Sequence, residues 1–262
     1  MWESSASPPA TGRSAGEIRR GAGRYGRVVG EPVPGLVTLH LWRVPTRNIG
    51  SALARMGLDR RPLRSTVGLR FAKLLGTGRG QTFTPGDIDP RRWGLLASWG
   101  TVRDARAFAA SSLVRRWDRI SEERWSVDLR PLSSRGRWSG RQPFGDPTPT
   151  PYAGVVAAVT RARIAAPKTR TFWRAVPPVA ADLHRANGVR LALGIGEAPI
   201  GLQGTFSLWE SAEALTDFAH RRPAHAVAIR RTAEEHWYAE ELFARFAVLA
   251  AEGTVDGRDP LR

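Results

Sequence analysis

The second half of this 262-residue chain repeats the first, and no other feature limits the fold as tightly. Leu36 to Trp42 alternates apolar positions as a half-buried strand does, and Val155 to Arg161 is its counterpart. Gly68-Leu69-Arg70 returns as Gly188-Val189-Arg190, and Gly76-Thr77-Gly78 as Gly194-Ile195-Gly196. Leu95 to Trp99 matches Thr205 to Trp209, and Glu122-Glu123-Arg124-Trp125 matches Glu234-Glu235-His236-Trp237. A repeat this long is a domain-sized unit. Positions where the copies differ are where residues with a single, functional role are expected.

Each copy reads as strand, helix, strand, strand, helix, strand. In the first, strands fall at 36–44, 68–75, 93–99 and 125–132, with helical patterns over 48–65, from Thr101 to Phe108, and over 112–124. In the second, strands fall at 153–164, 188–195, 203–209 and 242–250, with helices over 168–186, 211–219 and 223–241. One βαββαβ unit leaves a sheet face bare, and two can cover each other. The expected fold is therefore α+β: tandem ferredoxin-like repeats closing a dimeric-type α+β barrel within one chain. The expected divisions are a tail (1–33), an N-terminal half (34–132), a connector (133–152) and a C-terminal half (153–262). The connector is rich in Gly, Arg and aromatics, which suits either a cover over a pocket mouth or a packed crossover.

The absence of cysteine excludes disulfides, iron–sulfur clusters, Cys-type structural zinc, thiolate-ligated haem and c-type haem attachment. Residues 1–33 are poor in aliphatic side chains and read as a disordered basic tail. Arg19-Arg20 is not followed by the apolar stretch a signal needs. The longest apolar runs, such as Phe246 to Ala251, are too short to span a bilayer, so a cytoplasmic protein is expected. The net charge is +16, and all but two of the 40 basic residues are arginine, the exceptions being Lys73 and Lys168. The tail holds five arginines against three glutamates, so the excess lies on the folded body. No recognition-helix, zinc-finger or RNP-type signature accompanies it, so no specific nucleic-acid partner is expected. Arginine also suits carboxylates and anionic lipid surfaces, which leaves peripheral membrane contact open.

Several separated stretches together resemble the spheroidene monooxygenases, a family of carotenoid-oxidising enzymes. They are Lys73 to Gly78, Arg130 to Gly140, Gly194-Ile195-Gly196-Glu197, Thr205 to Trp209, and Glu240 to Phe246. They occur in order, and the resemblance covers most of residues 36–261. It implies a haem-dependent monooxygenase with haem b iron as cofactor. Its carotenoid members oxidise an end-group methylene to a ketone by successive hydroxylations. The implied partners are a small apolar substrate, O2 and an electron donor. A homodimer is neither required nor excluded.

With haem present and cysteine absent, the axial ligand falls to His, Tyr or Met. His225 is the foremost candidate. It follows Pro223, which suits a helix's first turn, and His225, Ile229, Ala233 and Trp237 recur every four residues on one face. The repeat places Leu113 opposite it, so the second copy has an imidazole where the first has an aliphatic side chain. His236 is flanked by Glu234 and Glu235 and reads as a surface residue. His184 and His220 have arginine neighbours. His40 lies in a strand, facing either the barrel interior or a hydrogen-bond partner. Lys73 and Arg137 are the candidate partners of the haem propionates. Trp138, Gln203 and Phe206 lack clear repeat partners and are the candidate pocket residues. Trp99, Trp209, Trp125 and Trp237 come in repeat-related pairs, which points to core packing. Gly76 to Gly80 lacks a nucleotide-binding ending and reads as a turn.

Two other readings remain open. A haem enzyme of the same barrel shape could act as a dehydratase, peroxidase or bond-forming catalyst on a small nitrogenous metabolite. A basic, non-enzymatic binding module would show steep salt dependence and no pigment.

Overall fold

A computed structural model describes residues 31–79, 85–164, 183, 185–197, 204–221 and 238–262. Eight strands form one closed antiparallel barrel in the order β1-β3-β2-β6-β7-β5-β8-β4. They are β1 (Leu36–Arg43), β2 (Leu69–Gly78), β3 (Ile88–Trp99), β4 (Glu123–Gly136), β5 (Val156–Ile164), β6 (Val189–Gly196), β7 (Gly204–Trp209) and β8 (Tyr238–Gly253). Each half contributes four neighbours in matching order, β4-β1-β3-β2 and β8-β5-β7-β6, which is the expected pair of ferredoxin-like repeats. The first half carries α1 (Ile49–Leu58) and α2 (Arg60–Arg64) between β1 and β2. Between β3 and β4 it carries α3 (Val102–Ala109) and α4 (Ser112–Ile120). The described helix of the second half is α5 (Ala212–Arg221). Thr101 and Ser111 start α3 and α4 by accepting the amides of Asp104 and Val114, which satisfies donors the first turn leaves free.

The ladders correct the repeat alignment at three places. At one of them Leu75 pairs with Gly94 and Ile195 with Gly204, so the counterpart of Gly76 is Gly196, not Gly194. Leu36 pairs with Trp99, and Val156 pairs with Trp209. The counterpart of Leu36 is therefore Val156, not Val155, and Arg161 corresponds to Leu41 rather than Trp42. Side chains alternate faces along a strand, so this one-residue slip moves Arg161 from the outside of the barrel to the inside. Trp125 stands beside Leu41 on β1, while Leu242 stands beside Arg161 on β5. Leu242, not Trp237, is thus the counterpart of Trp125, and Glu240 that of Glu123. The sequence match to Glu234–Trp237 followed composition, whereas β8 already begins at Tyr238, inside the span expected to be helical. The same shift occurs in the first half: Ser121 is extended and ends α4, and β4 starts at Glu123 and runs on to Gly136.

The corrected register exposes a further repeat. The turn after β4 closes with Trp138 bridging Arg141, and the turn after β8 with Val255 bridging Arg258. Their central residues share one backbone form, with φ 54° at Ser139 and Asp256 and 75° at Gly140 and Gly257. Glu240 at the start of β8 accepts the amides of Ser139 (2.9 Å) and Gly140 (2.8 Å). Glu123 at the start of β4 accepts those of Asp256 (3.1 Å) and Gly257 (2.7 Å). Each half thus holds the other's final turn by a carboxylate.

The barrel interior is one continuous apolar core that includes Trp125, Trp138, Phe144, Phe206 and Phe246. These aromatic side chains fill the space where the two halves meet. A second core joins the outer face of the first half to α1–α4, and a third lies on the outer face of the second half around Trp209, Leu215 and Phe218.

Candidate functional site

Inside one end of the barrel, four charged side chains interrupt the apolar core. Lys73 of β2 donates to Glu197 at the end of β6 (2.5 Å) and to the Ser139 hydroxyl (2.6 Å). Trp138 donates its indole N–H to the same carboxylate (2.6 Å), and Arg161 of β5 reaches it at 3.2 Å. Arg161, only 5% exposed, also pairs with Glu240 and lies over the Trp138 ring. Burial raises the pKa of both carboxyls, but their partners more than offset this. Lys73, Trp138 and Arg161 hold Glu197 below the usual carboxylate range, and the turn amides and Arg161 do the same for Glu240. Both are ionised at neutral pH. Two cations and two anions neutralise one another, so the cluster holds positions and offers no free acid or base.

Three of its five residues have apolar counterparts in the other half. By ladder position, Lys73 corresponds to Leu193, Arg161 to Leu41, and Trp138 to Val255. The opposite end carries a different charged set, in which buried Arg92 pairs with Asp89 and Asp256 and Arg43 pairs with Asp256.

The outer sheet face differs between the halves in the opposite sense. In the first half one row across the strands reads Leu74, Leu95, His40, and the next carries Trp93 and Trp42. The equivalent rows of the second half read Gly194, Thr205, Thr160, followed by Ala162 on β5. Large side chains have been exchanged for small ones over the middle of this face. Trp209 and Phe218 pack together on the same face, with rings 5.1 Å apart. Phe243, which stands beside Thr160 on β8, carries the Arg135 guanidinium 4.5 Å from its ring. Arg245, half-buried beside Ala158, bonds to Thr216 of α5. Thr160 and Ala162 flank Arg161 in sequence, so the polar cluster backs this face through the sheet.

A row of small side chains is what a flat macrocycle would need in order to lie on this sheet. Such a macrocycle supplies most of its own metal ligands, so it needs one axial side chain rather than a cluster. Among the described residues no three His, Asp or Glu side chains converge on a metal position.

Of the residues singled out from sequence, Lys73 and Trp138 meet in the polar cluster. Lys73 faces the barrel interior, on the other side of the sheet from the row of small residues. Arg137 is exposed and donates to the carbonyl of Gly140. Phe206 is buried in the barrel core, edge-on to Trp125. His225 and Gln203 lie outside the described residues, as do His184, His236 and the tail to residue 30. His40 faces neither the barrel interior nor a partner. It packs among Trp42 and Phe108 in the helical layer, with Nδ1 buried and unbonded. Sequence reasoning missed Glu197, Glu240 and Arg161. A correctly registered repeat would have marked Arg161, a charge where the first copy has Leu41.

No family model matches the chain. Among curated proteins it is 37% identical over 233 residues to the spheroidene monooxygenase of Rhodobacter capsulatus, covering 86% of this chain and 95% of that protein. It is 40% identical over 200 residues to the spheroidene monooxygenase of Rubrivivax gelatinosus, covering 75% of each. Among solved structures it resembles aldoxime dehydratase, with a TM-score of 0.51 and 13% identity over 81% of this chain and 80% of that one. A second structure, of an aldoxime dehydratase with butyraldoxime, gives 0.52 and 12% over 81% and 79%. Identity this low speaks to the fold alone.

Proposed function

The chain belongs to the spheroidene monooxygenase family, and from that premise we propose that it hydroxylates an apolar, carotenoid-like substrate with O2, using haem b. The observation that carries the cofactor assignment is the row Gly194, Thr205, Thr160 with Ala162, set where the first half has Leu74, Leu95, His40 and Trp42. His225 is the residue that would hold the iron through one ring nitrogen, and its other nitrogen would take a hydrogen bond. Arg245 is the proposed partner of a propionate, in place of Lys73 and Arg137. Phe243 and Trp209 would wall the ring and keep water from its edge. When bound, haem supplies the O2 activation that no side chain of this protein can supply. Each hydroxylation places one oxygen atom on the substrate and sends the other to water, consuming two electrons and two protons from an external donor.

The purified chain, expressed with adequate haem, should show a Soret band. His225→Ala should shift or abolish it. Ala162→Trp, which restores the residue the first half carries, should prevent haem retention while far-UV circular dichroism keeps the parent's shape, with some loss of melting temperature because Ala162 is buried. Undiminished haem binding in both variants would remove this assignment. The barrel fold shared with aldoxime dehydratase is compatible with a second reading, a haem enzyme of the same shape acting without external electrons, but does not by itself favour it. Product formation that requires both O2 and a reductant separates the two.

A further inference from the structure

The helical layer of the first half is the most one-sided surface among the described residues. Arg47, Arg60, Arg61, Arg64, Arg103 and Arg119 are exposed, and none has an ion-pair partner among the described residues. The layer's acidic groups are all engaged. Asp59 is buried against Arg116 and Trp117, Asp118 binds Trp42 and Arg124, and Asp104 accepts from Thr101. Large apolar side chains stand among these arginines. Leu58 is 72% exposed and Val67 is 83% exposed, with Leu53 and Val102 about half exposed on α1 and α3. Most of the large, exposed apolar side chains of the described structure lie on this layer. A shallow groove of about 540 Å³, with Val67, Phe108 and Leu113 among its lining and Arg116 at its side, opens beside α2.

We infer that α1–α4 form a docking surface for an anionic lipid bilayer. Unpaired arginines attract phosphate headgroups, and Leu58 and Val67 enter the boundary between headgroups and acyl chains. Both features are needed: a charged face for a polyanion such as nucleic acid gains nothing from protruding Leu and Val, and an apolar face for a protein partner is not ringed by unpaired cations. The surface lies on the half opposite the proposed haem face, and the inference does not depend on the identity of the substrate or on haem.

The test is sedimentation of the full chain with large unilamellar vesicles of phosphatidylcholine, with and without phosphatidylglycerol. Binding should require phosphatidylglycerol and weaken as salt rises. Arg60→Glu, Arg61→Glu and Arg64→Glu together should weaken it by roughly a hundredfold, at about one kcal/mol for each arginine removed and tenfold for each 1.4 kcal/mol. Leu58→Ser with Val67→Ser should weaken vesicle binding about tenfold and leave binding to a DNA duplex unchanged. These side chains project into solvent, so melting temperatures should match the parent. Vesicle binding that survives the arginine reversals, or that ignores the loss of Leu58 and Val67, overturns the inference. So does tighter binding to the duplex than to the vesicles. Because the readout is sedimentation, failure here leaves the haem assignment untouched, and a missing Soret band leaves this inference untouched.

Discussion

At the scale of single residues, buried polar groups separate into two kinds. Arg161 is enclosed but paired twice, so its desolvation is offset by Glu197 and Glu240. His40 is enclosed among aromatic rings without a partner at Nδ1. Its desolvation, with the nearby Arg124 charge, pulls its pKa down to about 3. The folded chain therefore refuses a proton that the unfolded chain takes up below a pH of about 6.5. Stability from this residue is complete above that pH and is lost as the pH falls toward 3. The carboxylates of Glu197 and Glu240, held below the ordinary value of 4.5, add their own loss of stability only as the pH falls below that value. The window between 4.5 and 6.5 isolates the imidazole. Urea unfolding across it should give the parent a stability slope that His40→Leu lacks, of at most about 1.4 kcal/mol per pH unit. Equal slopes in both proteins would mean that His40 is protonated or partnered when folded.

At the scale of elements, the two carboxylate-held turns are the clearest product of the duplication. Gly140 and Gly257 both have φ of 75°, and a Cβ placed on either meets nothing within 4 Å. Any penalty of a side chain there is thus backbone strain rather than a clash. Gly140→Ala and Gly257→Ala should each cost about 1–2 kcal/mol in equilibrium unfolding, the cost of a left-handed conformation for an L residue. Gly57 in α1 also has open space around its Cβ but no positive φ. There the same change should stabilise by up to about 1 kcal/mol through helix propensity. If all three changes have one sign, the turns are not held in the left-handed form.

At the scale of the whole molecule, the barrel closes along two unequal seams. β4 and β8 pair from Trp125–Gly253 to Gly136–Leu242, whereas β2 and β6 meet only at Gly76–Gly196, Thr77–Ile195 and Gly78–Gly194. Lys73 and Glu197 bridge the short seam, which gives the polar cluster a structural task in closing the barrel. Hydrogen exchange followed by mass spectrometry should find the amides of 75–78 and 194–196 less protected than those of 126–135 and 243–251. Glu197→Gln, which removes the charge from the clasp, should speed exchange at the short seam and leave the long one unaltered. Uniform protection around the barrel would show that closure does not depend on that pair.

The sequence by itself determined the duplication, the βαββαβ order of each half and hence the α+β barrel. Strand alternation and turn glycines are local signals, and Gly68 and Gly188 were matched correctly because both have positive φ. It also carried the family resemblance, through motifs spread along both halves. Only the tertiary structure decided what faces what. A one-residue register slip is nearly invisible in an apolar alternation such as Val155 to Arg161, yet it inverts every side chain on the strand. Arg161, Glu197 and Glu240 come from three strand ends far apart in the chain, and only barrel closure brings them to Lys73 and Trp138. The trimmed outer face was hidden for the same reason: Thr160, Gly194 and Thr205 look unremarkable in sequence. Their smallness acquires meaning once the ladder sets them against His40, Leu74 and Leu95.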